Sequence, residues 1–204
     1  MLLSGYIRRL NKAIADIFTP SASNYQGWER KNFWLRMAGL NISKEGVAIS
    51  RGFQCIDGNE ENISIDGHVA IGNNLHLWNF GDVHIGQFCM IAAGVTVSNG
   101  WHDKSTFVPA SGPTTIGPGC WIGVNATIVG SVSIGANAII GAGALVNKDV
   151  LPNSIVAGVP AKVIGMRQLP DQVWHLGNIY FCPHNFEIQK NKNDVFLDAE
   201  KNKN

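Results

Sequence analysis

Residues 115–150 read TIGPGCWIGVNATIVGSVSIGANAIIGAGALVNKDV, with aliphatic residues at Ile116, Ile122, Ile128, Ile134, Ile140 and Val146, a strict step of six. The residues that follow them, Gly117, Gly123, Val129, Gly135, Gly141 and Asn147, are mostly small or turn-forming. An amphipathic helix repeats its apolar face every ~3.6 residues and a half-buried strand every ~2, so a step of six fits neither alone. It fits short strands joined by corners. Three such strands close a triangular coil of about 18 residues, with each aliphatic pointing inward and Gly or Asn tolerating positive φ at the corner. Upstream the same step gives Ile65, Ile71, Leu77 and Val83, then slips by two residues to Ile85, Ile91 and Val97. Five to six coils at about 4.8 Å each predict a parallel prism roughly 25–30 Å long. Its coils bury one another's aliphatics, and its two ends need caps.

The rest of the composition agrees with a repetitive, well-packed chain. Among 204 residues there are 23 glycines against 8 prolines, and 45% of residues are hydrophobic. With 15% charged residues and a formal net charge of +1, no global field favours nucleic acid or an anionic surface. Cys55, Cys89, Cys120 and Cys182 form no CxxC pair, which points to reduced, mostly buried thiols. Charges interrupt the apolar residues of MLLSGYIRRLNKAIADIF before a secretory core or a spanning helix forms, so the expected location is cytoplasmic.

Three regions follow. Residues 1–42 are expected to form a helical cap, with Leu3, Ile7, Leu10, Ile14 and Ile17 as one apolar pattern and Trp28, Phe33, Trp34 and Met37 around a second. The cap is expected to dock on the first coil or on a neighbouring subunit. Attachment to a membrane surface through Arg8, Arg9 and Lys12 is the alternative. Residues 43–165 carry the β-helix, and residues 166–204 an irregular extension, aromatic around Trp174 to Phe186, with the polar tail DAEKNKN.

The period breaks on a large scale once, between Val97 and Ile116, so residues 98–115 form an extruded loop. Loops on rigid scaffolds are where functional groups concentrate, and this loop carries Trp101, His102 and Asp103. An imidazole titrating near neutrality can take a hydroxyl proton as the oxygen attacks a thioester, which makes His102 the first candidate for a catalytic base. A carboxylate or a carbonyl must then fix the other ring nitrogen. Asp103 is adjacent, but sequence neighbours often point apart.

The segments IGVNAT, IGANAI and IGAGAL, together with IGQFCMIAAGVTVSNGWHD and the closing AGVPAKVIG, resemble the hexapeptide-repeat acyltransferase superfamily. Within it they are similar to the sugar O-acetyltransferases acting on galactosides, maltose, lipopolysaccharide and capsule. The resemblance covers roughly residues 65–165 and implies a left-handed β-helix, against the usual right-handed crossover. It further implies a homotrimer whose active sites lie between subunits, acetyl-CoA as co-substrate, and a sugar or glycan acceptor, with no nucleic-acid partner. His102 takes the place of the general base. Trp121, Gly123, Val124 and Ala142 match the groove holding the pantetheine arm, and Lys148 and Lys162 the basic residues near the nucleotide. Where relatives often carry a further basic residue this chain has Gly165, although Arg167 follows. Asn74 and Trp101 are the candidate acceptor contacts, with Asn79, Asp82 and His84 as other residues able to face the site.

Neither a Walker loop nor a dinucleotide fingerprint is present, because IGAGAL lies inside the repeat. His175, Cys182 and His184 are irregularly spaced among aromatics, and no metal is assigned. N-acetylation of a nucleotide-linked amino sugar, O-acetylation of an antibiotic, and a purely structural β-helix remain the other readings.

Overall fold

The structure, a computed structural model, describes residues 2–17, 25–56 and 59–168. The parallel β-solenoid implied by the six-residue step is the observed architecture. Strands of two to four residues stack in three parallel sheets, one per face of a prism. The first face carries Asn41–Ile42, Ile63–Ile65, Val83–Ile85, Thr114–Ile116 and Ser133–Ile134. The second carries Ala48–Ile49, Ala70–Ile71, Met90–Ile91, Trp121–Ile122, Ile139–Ile140 and Ser154–Ala157, closed by the antiparallel Lys162–Met166. Gln54–Cys55, His76–Trp78, Thr96–Ser98, Thr127–Val129 and Leu145–Val146 make the third.

Side chains alternate across a strand, so one residue of each short strand points inward and meets its equivalent in the next coil. Ile65, Ile85, Ile116 and Ile134 align in register on the first face. Ile71, Ile91, Ile122 and Ile140 do so on the second, and Leu77, Val97, Ile128 and Val146 on the third. All twelve are buried in a single core. Burying one such aliphatic side chain contributes about 1.5–3 kcal/mol, so these columns are the main source of stability.

Departures from the period concentrate at one corner. From the second coil on, the inward residue advances by six across the first corner (Ile65 to Ile71, Ile116 to Ile122), and it does so in every coil across the second (Ile71 to Leu77, Ile122 to Ile128). Across the third corner the advance is 10 from Cys55 to Ile65, 8 from Leu77 to Ile85 and 19 from Val97 to Ile116. The slip at Val83 is therefore an added inward layer: Ile63, Val83 and Thr114 pair in register, all buried, one step before the main column. Buried asparagines support this widened corner. Asn79 donates to the Asn59 carbonyl at 2.6 Å and accepts from the Ile56 amide at 3.0 Å. Asn99 accepts from the Gly81 amide at 3.0 Å and donates to the Asp82 carbonyl at 3.0 Å.

At the second corner Gly52, Asn74, Gly94, Asn125 and Gly143 succeed one another coil by coil, all at positive φ. The Asn74 carboxamide oxygen occupies the space a Cβ on Gly52 would need, and Asn125 does the same to Gly94. Asparagine and glycine alternate because each asparagine side chain leans onto the glycine of the coil before it.

The N-terminal helices α1 (Leu2–Ile17) and α2 (Tyr25–Met37) cap the first coil, which has no preceding coil to donate to its carbonyls. Side chains of α2 supply the donors: Asn32 to the Val47 carbonyl at 2.7 Å, Lys31 to Ser50 at 2.7 Å and Arg36 to Ser43 at 3.3 Å. Burial lowers the Lys31 pKa, against the opposing pull of Asp16 at 3.3 Å. The docking of α1 differs from that suggested by its apolar pattern. Its polar side faces the protein, with Arg8 and Lys12 meeting the buried Glu60 and Asn11 bonding the Met37 carbonyl at 2.9 Å. Tyr6, Ile7, Leu10 and Ile17 are left exposed. A buried carboxylate has to be paired, and this requirement outweighs burial of the aliphatic stripe. Among the described residues no helix is long and apolar enough to cross a membrane.

Candidate active site

The extruded loop is a β-hairpin, Gly100–His102 against Pro109–Ser111, rising from the third corner. Asn99 holds its mouth, since the Gly112 amide donates to the Asn99 carbonyl at 3.1 Å. At the tip the Asp103 carboxylate accepts from the Thr106 amide at 2.8 Å, the Thr106 hydroxyl at 2.9 Å and the Ser105 amide at 3.0 Å. These donors, the Thr106 amide foremost, hold the Asp103 carboxyl below its ordinary pKa. The Phe107 amide donates to the Asp103 carbonyl at 2.9 Å, and Phe107 lies at φ 54°. Its carbonyl then reaches His102 Nδ1 at 2.8 Å. A carbonyl can only accept, so Nδ1 carries the hydrogen and Nε2 is the unprotonated nitrogen of the neutral ring. The ring is thus oriented by a carbonyl rather than by the neighbouring carboxylate, and Asp103 acts one step removed by shaping the turn that presents Phe107.

Successive strand residues point to opposite sides, which places Trp101 and His102 on opposite faces of the hairpin. The Trp101 ring lies beside Gly112. On the His102 face, Phe80 packs directly against Gly100.

A second set of candidates gathers at the second corner and its border. Trp121 stands outward on the second face, about half exposed, in register with Met90 and Ile139. Gly123 and Gly143 donate their amides to the Ile140 and Val124 carbonyls. The amides of Val124 and Ala142, at equivalent positions one coil apart, donate to no backbone carbonyl among the described residues. A Cβ on Gly123 would come 2.6 Å from the Ala142 nitrogen, so the glycine preserves this close approach. Lys162 pairs with Ala157 at the upper end of the same corner. These two amides, both on exposed residues, suit a ligand rich in carbonyl acceptors, and Lys162 an anionic end.

The bacterial transferase hexapeptide (six repeats) family model matches residues 113–148. Galactoside O-acetyltransferase of Escherichia coli K12 is 38% identical over 119 residues, covering 56% of this chain and 58% of that protein. Serine acetyltransferase 2 of Arabidopsis thaliana is also 38% identical over 119 residues, covering 54% and 35%. A galactoside acetyltransferase solved in complex with coenzyme A superposes with a TM-score of 0.66 at 28% identity, over 81% of this chain and 82% of that one. Residues 113–148 thus carry the hexapeptide-transferase repeat, and the chain is similar in sequence and fold to acetyltransferases built on it. It spans between a third and three fifths of the two curated relatives just described.

The remaining candidates are spread over several edges of the prism. Asn74 is on the second corner at φ 59°, where it serves the corner stack. Lys148 follows Val146 on the third corner, on the hairpin's edge rather than with Lys162. The Arg167 guanidinium donates to the Gly119 carbonyl at 2.9 Å and to that of Asn137 at 3.3 Å, stapling the first corner away from both sets. Asn79 is buried in the corner scaffold, and His84 pairs with Asp66 at 3.1 Å on the first face. His175, Cys182 and His184 lie outside the described residues; among those described, no cluster of three or more His, Cys, Asp or Glu is placed to hold a metal. The Phe107 carbonyl leaves no trace in a pattern of side chains. Asn59, Asn79 and Asn99, by contrast, recur at a spacing of 20 that could have revealed the widened corner.

Proposed function

We propose that this protein is an acetyltransferase moving the acetyl group of acetyl-CoA to a hydroxyl of a sugar or glycan, with His102 as general base. The observation that carries the reading is the bond from His102 Nδ1 to the Phe107 carbonyl, which leaves Nε2 free on an exposed hairpin. Nε2 takes the acceptor proton as the hydroxyl oxygen bonds to the thioester carbon, and it returns the proton to the sulfur as the carbon–sulfur bond breaks. The Val124 and Ala142 amides bind the pantetheine arm, with Trp121 walling the groove, while Lys162 and Lys148 attend the phosphates.

In one protomer the hairpin and the amides stand on different corners, separated by a face that spans roughly 15–20 Å at 3.3 Å per residue. This separation supports a homotrimer in which the hairpin of one subunit meets the groove corner of the next. Mixing subunits tests it. His102→Ala and Ala142→Arg proteins, each inactive alone, should regain thiol release from acetyl-CoA with a galactoside or maltose when co-assembled. Absence of recovery in mixed trimers would exclude a shared site.

Serine as acceptor is a second reading, favoured by the similarity to the Arabidopsis serine acetyltransferase. Turnover with L-serine but with no sugar would establish it in place of the first. A cytoplasmic location accords with the buried thiols of Cys89 and Cys120 standing outside any disulfide.

A further inference from the structure

Phe80 is a large apolar residue, 53% exposed, yet it has a built seat. It follows the buried Asn79 on the third corner, its amide donates to the Trp78 carbonyl at 3.1 Å, and its ring lies against Gly100 of the hairpin. A Cβ on Gly100 would come 2.4 Å from the Phe80 ring. Gly100 has no positive φ to explain it. The glycine is there for space, and Phe80 occupies that space.

Gly100 and His102 are two residues apart in one strand and therefore face the same side. The Phe80 seat lies about 7 Å along the strand from the base, at two strand steps, roughly the length of a pyranose ring. We propose that Phe80 is the stacking platform of the acceptor subsite, binding the apolar C–H face of a sugar ring so that a hydroxyl at its far side meets His102 Nε2. The inference rests on the sugar-acceptor reading above and makes it specific. One edge of the prism carries the base and the acceptor platform, and the other the coenzyme groove. A flat aromatic face selects a ring over a small flexible acceptor, because offset contact with a ring buries area that serine cannot offer.

The test uses the full-length protein with methyl β-galactopyranoside and maltose. Phe80→Leu keeps an apolar side chain against Gly100 but removes the flat face, and Phe80→Tyr restores it. For Phe80→Leu the expected result is an acceptor KM about tenfold higher, with kcat within about threefold and the acetyl-CoA KM unchanged. Phe80→Tyr should lie near wild type. A fall in kcat with unchanged acceptor KM would reduce Phe80 to a support for the hairpin and overturn the proposal, as would identical kinetics for Phe80→Leu and wild type. If wild type binds CoA yet neither acetylates these sugars nor shows saturation-transfer NMR contact with them, the sugar reading itself falls.

Discussion

His102 Nδ1 lies 2.8 Å from the carbonyl oxygen of Phe107, five residues further along the same hairpin. A turn stabilised within itself therefore sets the tautomer of this imidazole, and no second element of the protomer is needed. His102→Ala should lower kcat by about 10²- to 10⁴-fold, the usual contribution of a positioned acid–base group, while binding of CoA measured by calorimetry stays within a factor of two or so. Turnover close to wild type would remove His102 from the chemistry.

Asp103 controls the same ring indirectly. Asp103→Ala removes the acceptor for Thr106 and Ser105, so Phe107 should lose its fixed conformation. The expected effect is a kcat loss of about tenfold, smaller than that of His102→Ala, with the melting temperature unchanged because the tip is exposed. A loss as large as that of His102→Ala would place Asp103 in direct contact with the reacting groups instead.

The pH response of that turn has a definite sign. The Asp103 carboxyl titrates below its ordinary value in the folded hairpin, so its contribution is complete above the ordinary aspartate pKa and is lost as pH falls through the lower folded value. Amide NMR shifts of Ser105 and Thr106 should accordingly move together, with a midpoint below that of an unperturbed aspartate. A midpoint at the ordinary value would show that the carboxylate does not hold the turn.

Gly123 and Ala142 should separate stability from ligand binding. Gly123→Ala drives a methyl group into the Ala142 amide and should destabilise the fold by about 1–3 kcal/mol in denaturant unfolding. Ala142 is exposed, so Ala142→Leu should leave the unfolding midpoint alone and raise the acetyl-CoA KM about tenfold. The opposite pattern would place the coenzyme elsewhere.

Asn79→Ala leaves the Ile56 amide and the Asn59 carbonyl without a buried partner and should cost about 1–3 kcal/mol. Calorimetric melting reads the change. A neutral result would mean that water replaces the side chain at that corner.

Much of the fold was legible because the core is a periodic column: a residue every six positions can point inward only if the chain turns at fixed intervals. The extruded loop was legible as a gap in that count, and His102 as its histidine. What orients the histidine was not, since the Phe107 carbonyl belongs to the backbone and its direction depends on one left-handed residue. Phe80 was hidden for another reason. Its contact with Gly100 runs between coils, across a corner where the period fails. For α1 the apolar pattern pointed the wrong way, because buried Glu60, remote in sequence, claims the helix's charged side.

The alternation of Gly52, Asn74, Gly94, Asn125 and Gly143 constrains how such a chain can lengthen. A single duplicated coil would set asparagine over asparagine or glycine over glycine, so one asparagine would lose its seat over a glycine. Two coils inserted together keep the parity. Along this edge the heritable unit is therefore a pair of coils, and variants longer or shorter by two should fold more readily than those differing by one.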